Sequence, residues 1–172
     1  PDNKVRIAIK IVEGDRARIR QINIVGNHSF PTDEIIEGFQ LKMPNWLSFI
    51  RQDDRYSREA LQGDLETLRS FYMDQGFADF RIESTQVALS PDKQDIFITI
   101  NITEGEKYTV SSVKLAGQLL IPEEELVKLV QVKPGEVFAR ERMTETTKAI
   151  SERLGNEGYA FANVNAAPEL DK

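Results

Sequence analysis

The chain has no cysteine, a single histidine and a single tryptophan in 172 residues. The first absence removes disulfide frameworks, thiol nucleophiles and cysteine-ligated zinc. The second removes any multi-histidine metal site. His28 follows Gly26-Asn27 in a turn, where a surface or capping role is expected. Positive charge is also scarce, with 22 Lys and Arg against 28 Asp and Glu. A net charge of −6 speaks against nucleic acid as a partner, since that footprint needs clustered basic residues. No apolar run reaches the length of a membrane-spanning helix, and the first residues lack the basic start and apolar stretch of a secretion signal. The carboxylates show no spacing that singles out an acid–base pair, and the glycines build no phosphate-cradling loop. The expectation is a protein that is not an enzyme and that needs no cofactor and no metal.

What the chain does have is the same pattern twice. Residues 4–42 lie without a gap over residues 95–133, so that Ile7, Ile9 and Ile11 fall on Ile98, Ile100 and Ile102, and Glu13-Gly14 on Glu104-Gly105. Ile19, Ile22, Ile24 and Gly26 fall on Val110, Val113, Leu115 and Gly117, and Pro31 on Pro122. The offset is 91 residues there and 82 further on, where Tyr56-Ser57-Arg58-Glu59 meets Phe138-Ala139-Arg140-Glu141 and Gly76-Phe77-Ala78 meets Gly158-Tyr159-Ala160. The first copy therefore carries nine extra residues between Met43 and Asp54, a segment that includes Trp46, Leu47, Phe49 and Ile50. Self-similarity at this period marks a repeated structural unit. We expect the last strand of a preceding unit in residues 1–14, a complete unit in 15–104, and a unit lacking its last strand in 105–172.

Within a unit, β-branched residues from about Ala17 to Val25 predict a strand, and the spacing of Ile19, Ile22 and Ile24 predicts a bulge near Arg20 and, in the second copy, near Ser111. Gly26-Asn27 ends it. A short helix is expected from Pro31, with Ile35, Ile36 and Phe39 on its apolar face, and a long one from Ser57 to Gln75 with Leu61, Leu65, Leu68 and Tyr72 at helical spacing. Gly76 is placed to cap the long helix. Two strands follow, Asp79 to Ser90 and Gln94 to Thr103, joined by a turn at Pro91-Asp92-Lys93. The second of them alternates cleanly through Ile96, Ile98, Ile100 and Ile102. The first breaks its alternation, which predicts a register shift near Ser84-Thr85. The unit is thus α+β, in the order β-α-α-β-β, with two helices on a small three-stranded mixed sheet. The short connection Glu104 to Lys107 permits a hinge between units.

These features resemble the POTRA repeat. The runs QINIVGNHSF (21–30), GDLETLRSFYMDQGF (63–77) and STQVALSPDK (84–93) are similar to the periplasmic repeats of the BamA family of bacterial outer-membrane assembly factors. The resemblance implies that the complete copy is a third unit and the other a fourth, in the Gram-negative periplasm and ahead of a membrane β-barrel. It implies unfolded outer-membrane β-barrel proteins as clients and accessory lipoproteins as partners, with the third unit as the dock for the lipoprotein BamB. A POTRA array of a two-partner secretion system or an organelle import channel is the alternative. The sheet order of the family puts the closing strand in the centre and Asp79 to Ser90 at an edge, where an extended partner adds as a further strand. The candidate partner-binding residues are Arg81, Glu83, Ser84, Thr85, Gln86 and Val87 on that edge, together with Trp46 in the extra segment.

Overall fold

The computed structural model describes residues 7–10, 17–43, 56–159 and 161–171. Strand β1 (Arg18–Val25) is followed by a one-turn helix α1 (Thr32–Ile36), the long helix α2 (Arg58–Asp74), and strands β2 (Arg81–Leu89) and β3 (Asp95–Thr103). The second copy contributes α3 (Glu123–Val127) and α4 (Arg140–Asn156).

The sheet order is β1-β3-β2, with β1 parallel and β2 antiparallel to β3. This is the mixed three-stranded sheet expected from the β-α-α-β-β order, and it puts the closing strand in the centre. The central strand buries Ile96, Ile98, Ile100 and Ile102 on one face, beneath α2, where they meet Ile19, Ile22 and Ile24 of β1 and Leu61, Leu68 and Tyr72 of α2. A strand paired on both sides has all its backbone groups satisfied by neighbours, and its clean alternation follows from having one face under the helices and the other turned away from them.

Local signals act where they were expected. The register of β1 shifts between Ile19 and Gln21, which leaves Arg20 as the bulged residue. The Ser57 hydroxyl accepts the Ala60 amide at 3.0 Å and starts α2. At the other end Gly76 takes φ +105°, and the Phe77 amide donates back to the Tyr72 carbonyl at 3.1 Å, which closes the last turn. In β2 the break lies between Ile82 and Ser84, so the bulge sits at Glu83, one residue before the Ser84-Thr85 position predicted from alternation.

The second copy departs from expectation. The residues matching β1 form no strand there; Thr109 and Val137 make an isolated antiparallel bridge, and no bulge arises at Ser111. The reason is the absent partner. In the first copy β1 pairs with β3 alone, and within 105–172 no residues correspond to β3. Residues 7–10, whose pattern matches β3, are in no strand, and Ile7 and Ile9 are 80% and 82% exposed.

Candidate partner-binding edge

Strand β2 brings Arg81, Glu83, Ser84, Thr85, Gln86 and Val87 onto one edge of the sheet, and among the described residues no strand pairs beyond it. Trp46 lies outside the described residues. Register assigns each side chain to a face. Ile82, Thr85, Val87 and Leu89 stand opposite Ile102, Ile100, Ile98 and Ile96, on the helix side of the sheet. Arg81, Ser84, Gln86 and Ala88 stand opposite Thr103, Asn101, Thr99 and Phe97, on the outer side.

The two faces differ chemically. On the helix side Val87 and Leu89 are 43% and 51% exposed beside a buried core. The outer side carries the uncharged polar groups Ser84, Gln86, Thr99 and Asn101, with the Asn101 amide donating to the Ser84 hydroxyl at 2.8 Å, and ends in Ala88 and the 38% exposed Phe97. Charge is confined to the start of the strand. There Glu83 accepts from the Thr103 hydroxyl at 2.8 Å and pairs with Arg81 at 3.4 Å, and these contacts hold its carboxyl below its ordinary value.

From Ser84 to Leu89 the edge has no lysine, no proline and no charge. Free edges in soluble proteins are ordinarily blunted by one of those devices, because an open row of backbone N–H and C=O groups invites another strand. The opposite edge has the same layout, since β1 begins at Arg18, bulges at Arg20 and carries no charge from Gln21 to Val25.

Two buried carboxylates that the sequence pattern does not single out fasten other elements of the same unit. Glu104, immediately after β3, accepts the His28 amide at 2.9 Å, the Ser29 amide at 3.0 Å, the Ser29 hydroxyl at 2.8 Å and the Tyr72 hydroxyl at 2.9 Å. Burial raises its pKa, and the four donors outweigh burial and hold it below the ordinary glutamate value. Tyr72, buried and hydrogen-bonded to that anion, is pushed far upward. Its ring stacks on Phe80 at 4.5 Å, just before β2 begins. The loop after β1, the long helix and the sheet thus converge on one anion.

Asp64 is fully buried in α2 and accepts the Gln40 and Leu41 amides at 2.6 and 2.9 Å. Burial pushes its carboxyl up, and the two amides and Lys42 offset only part of this. Signals for both carboxylates were present in the sequence. Asp64 interrupts the apolar stripe between Leu61 and Leu68, and the Glu-Gly pair at 104 recurs at 13.

Among the described residues no three metal-ligating side chains gather, and no helix is long and apolar enough to cross a membrane. A shallow cleft of about 270 Å³ lies between Met73 and Phe138, Arg140 and Met143 of the second copy. The first copy presents an open sheet edge on a unit whose loops and long helix are fastened by two buried carboxylates.

The sequence profile of the POTRA family, described as "Surface antigen variable number repeat", matches residues 17–105 and 108–172. The outer membrane protein assembly factor BamA of Buchnera aphidicola (subspecies Acyrthosiphon pisum) is 30% identical over 99% of this chain, and that of Neisseria meningitidis serogroup B is 29% identical over 96%. The chain spans 28% and 21% of the lengths of these two relatives. Among solved structures, POTRA3-5 of Haemophilus influenzae BamA superposes with a TM-score of 0.78 at 25% identity, over 91% of this chain and 61% of that one. BamA of Haemophilus ducreyi lacking POTRA domains 1-3 shares the fold, with a TM-score of 0.61 at 11% identity, over 78% of this chain and 24% of that one. Sheet order, repeat and profile agree: the chain belongs to the POTRA family.

Proposed function

We propose that this chain is a periplasmic part of an outer-membrane protein assembly factor, a non-catalytic scaffold that receives unfolded β-barrel proteins as strands added to β2. Its units are assigned as the end of one POTRA repeat in residues 1–14, a third repeat in 15–104 and part of a fourth in 105–172. The likeness to BamA POTRA3-5 supports that placement. An accessory lipoprotein of the BamB kind docks on the third repeat, and the membrane β-barrel belongs to the longer protein.

The observation that carries the reading is the contrast between the two faces of an unblunted edge. Main-chain hydrogen bonds supply affinity for almost any extended segment, and the flanking faces supply preference. A strand added to β2 places alternate side chains beside Thr85, Val87 and Leu89 on the apolar side and beside Ser84, Gln86 and Ala88 on the polar side. Alternation of apolar and polar residues is the signature of a transmembrane β-strand before it is inserted. Arg81 and Glu83 border the platform and discourage pairing past the bulge.

The test uses the whole chain with nitrogen-15 labelling and a synthetic nine-residue peptide of alternating apolar and polar residues. Amide shifts concentrated on 84–89, abolished in the folded Val87→Pro variant and weakened for a peptide with blocked apolar and polar halves, are expected. The same assay with BamB separates the edge from the extra segment. Binding that survives Val87→Pro and fails in Trp46→Ala would move the lipoprotein site away from β2.

A further inference from the structure

The connection between the two copies is four residues long, and its backbone is bonded to the first unit. The Asp79 carboxylate accepts the Glu106 amide through Oδ1 at 3.1 Å and the Tyr108 hydroxyl through Oδ2 at 3.4 Å. The Tyr108 amide donates to the Gly76 carbonyl at 2.9 Å. Gly105 is required at this crossing: with φ +77°, a Cβ there would lie 2.0 Å from Asp79 Oδ1. The hinge permitted by the length of the link is thus closed at both ends.

A second tie joins the long helices. In the first copy Ser57 caps α2 from its own N-cap position. The corresponding residue in the second copy is Ala139, which has no side chain able to cap α4. The missing acceptor comes from the first unit: Asp74, the last residue of α2, receives the Glu141 amide at 2.7 Å. One residue earlier in α4, Arg140 pairs with Glu66 of α2 at 2.7 Å. That ion pair is half exposed and contributes little by itself. A carboxylate on an otherwise uncapped helix start is a different matter, because it satisfies an orphan amide and complements the helix dipole.

The repeat does not predict these ties. At the positions of Asp74 and Asp79 the second copy carries Asn156 and Phe161. The acidic residues belong to this junction and not to the POTRA unit as such.

We propose that Asp74 is an orienting residue: it completes the second unit's long helix from outside and, with Asp79, sets the angle between the units by hydrogen bonds to two separate elements. The dependence runs in one direction. The first unit caps its own helix and closes its own core, whereas the second takes its helix cap from its neighbour. A partner that spans both units meets them in one fixed relation.

The experiment uses the whole chain, with amide exchange and residual dipolar couplings as readouts. In Asp74→Ala, exchange at Glu141 is expected to accelerate at least tenfold while the amides of β3 keep their protection, and the couplings of α4 shift relative to those of α2. Adding Ala139→Ser, which gives α4 the cap that Ser57 gives α2, should protect the Arg142 amide, the counterpart of Ala60, and leave both the Glu141 amide fast and the couplings shifted. Unchanged exchange and couplings in Asp74→Ala would overturn the proposal. So would full recovery of the couplings by Ala139→Ser, because the angle would then follow from the integrity of the helix and not from the tie. Asp74→Asn, which keeps an acceptor without the charge, is expected to fall between the wild type and Asp74→Ala.

Discussion

The two copies share a sequence pattern but not a packing environment, and the difference isolates what the closing strand does. Ile22 in the first copy is 5% exposed; Val113, its counterpart in the second, is 41% exposed. Both belong to segments of the same β-branched character. Around the first, fifteen buried apolar residues form one cluster, whereas around the second only Ile121, Leu126, Ile150 and Leu154 do so among the described residues. Strand propensity is a weak preference that pairing and burial turn into structure. Without a β3 to pair with, the preference of residues 110–117 is not realised. The helices behave otherwise: α2 and α4 have equal lengths and both close with the same backbone bond, Phe77 to Tyr72 and Tyr159 to Leu154. A helix satisfies its backbone within itself, and a parallel edge strand cannot.

One device survives in both copies. Asp64 accepts the amide of Gln40, and Thr146, at the corresponding position of α4, accepts the amide of Gln131 at 2.8 Å. Each fastens the end of the connection after the short helix to the middle of the long one. That bond lies within the half of the unit that both copies possess, which is why it needs no sheet.

Matched substitutions put the comparison at risk. The largest effect is expected at Leu68, which is fully buried at the centre of the first core, and at its counterpart Ile150. Leu68→Ala should destabilise the first unit by about 2–5 kcal/mol. Ile150→Ala should cost about 2 kcal/mol or less, because its surroundings are open on the sheet side and relax around the cavity. Denaturant titration followed by unit-resolved hydrogen exchange measures both, and equal costs would mean that the second core is as closed as the first.

Next come Gly26 and Gly117, which have the same left-handed backbone at φ +99° and +109°. A Cβ on Gly26 would lie 2.2 Å from the Ile102 carbonyl oxygen of β3, while one on Gly117 would meet nothing within 4 Å. Alanine at 26 therefore suffers both backbone strain and a clash, together about 2–4 kcal/mol. At 117 the strain alone remains, about 1–2 kcal/mol. A Gly117→Ala cost as large as that of Gly26→Ala, read from the same titrations, would point to a closing strand supplied from elsewhere.

A further effect sharpens the comparison through pH. The folded-state pKa of Glu104 lies below its ordinary value of 4.5, so the anion stabilises the first unit at neutral pH. That contribution is complete above about 4.5 and is lost as pH falls through the lower folded-state value. Asp64 has the opposite sign, because a raised carboxyl favours folding when protonated and loses that advantage as it ionises. Glu104→Gln should cost about 1–3 kcal/mol at pH 7 and flatten the acid limb of the first unit's stability curve. The second unit has no counterpart of Glu104 in this chain, so the acid dependence of its protection should be unchanged. An acid limb that persists in the variant would assign the dependence to other carboxylates.

The sequence by itself determined the order and type of the elements in the complete unit, the bulge at Arg20, the cap at Gly76 and the alternation that gives β3 one buried face. Those features rest on residues close together along the chain, where turn chemistry, helix period and strand period act directly. Tertiary structure decided the rest. Asp64 reads as a charge on a helix until the Gln40 and Leu41 amides arrive beneath it from 24 and 23 residues away. Glu104 and Asp79 read as linker and strand start until they collect donors from His28, Ser29 and Tyr72 in one case and from Glu106 and Tyr108 in the other. The bulge of β2 falls at Glu83, a position chosen by its pairing with β3 and not by its own alternation. Whether residues 110–117 become a strand was likewise beyond their own composition, because a strand's backbone is satisfied only by another strand and that partner lies elsewhere in sequence.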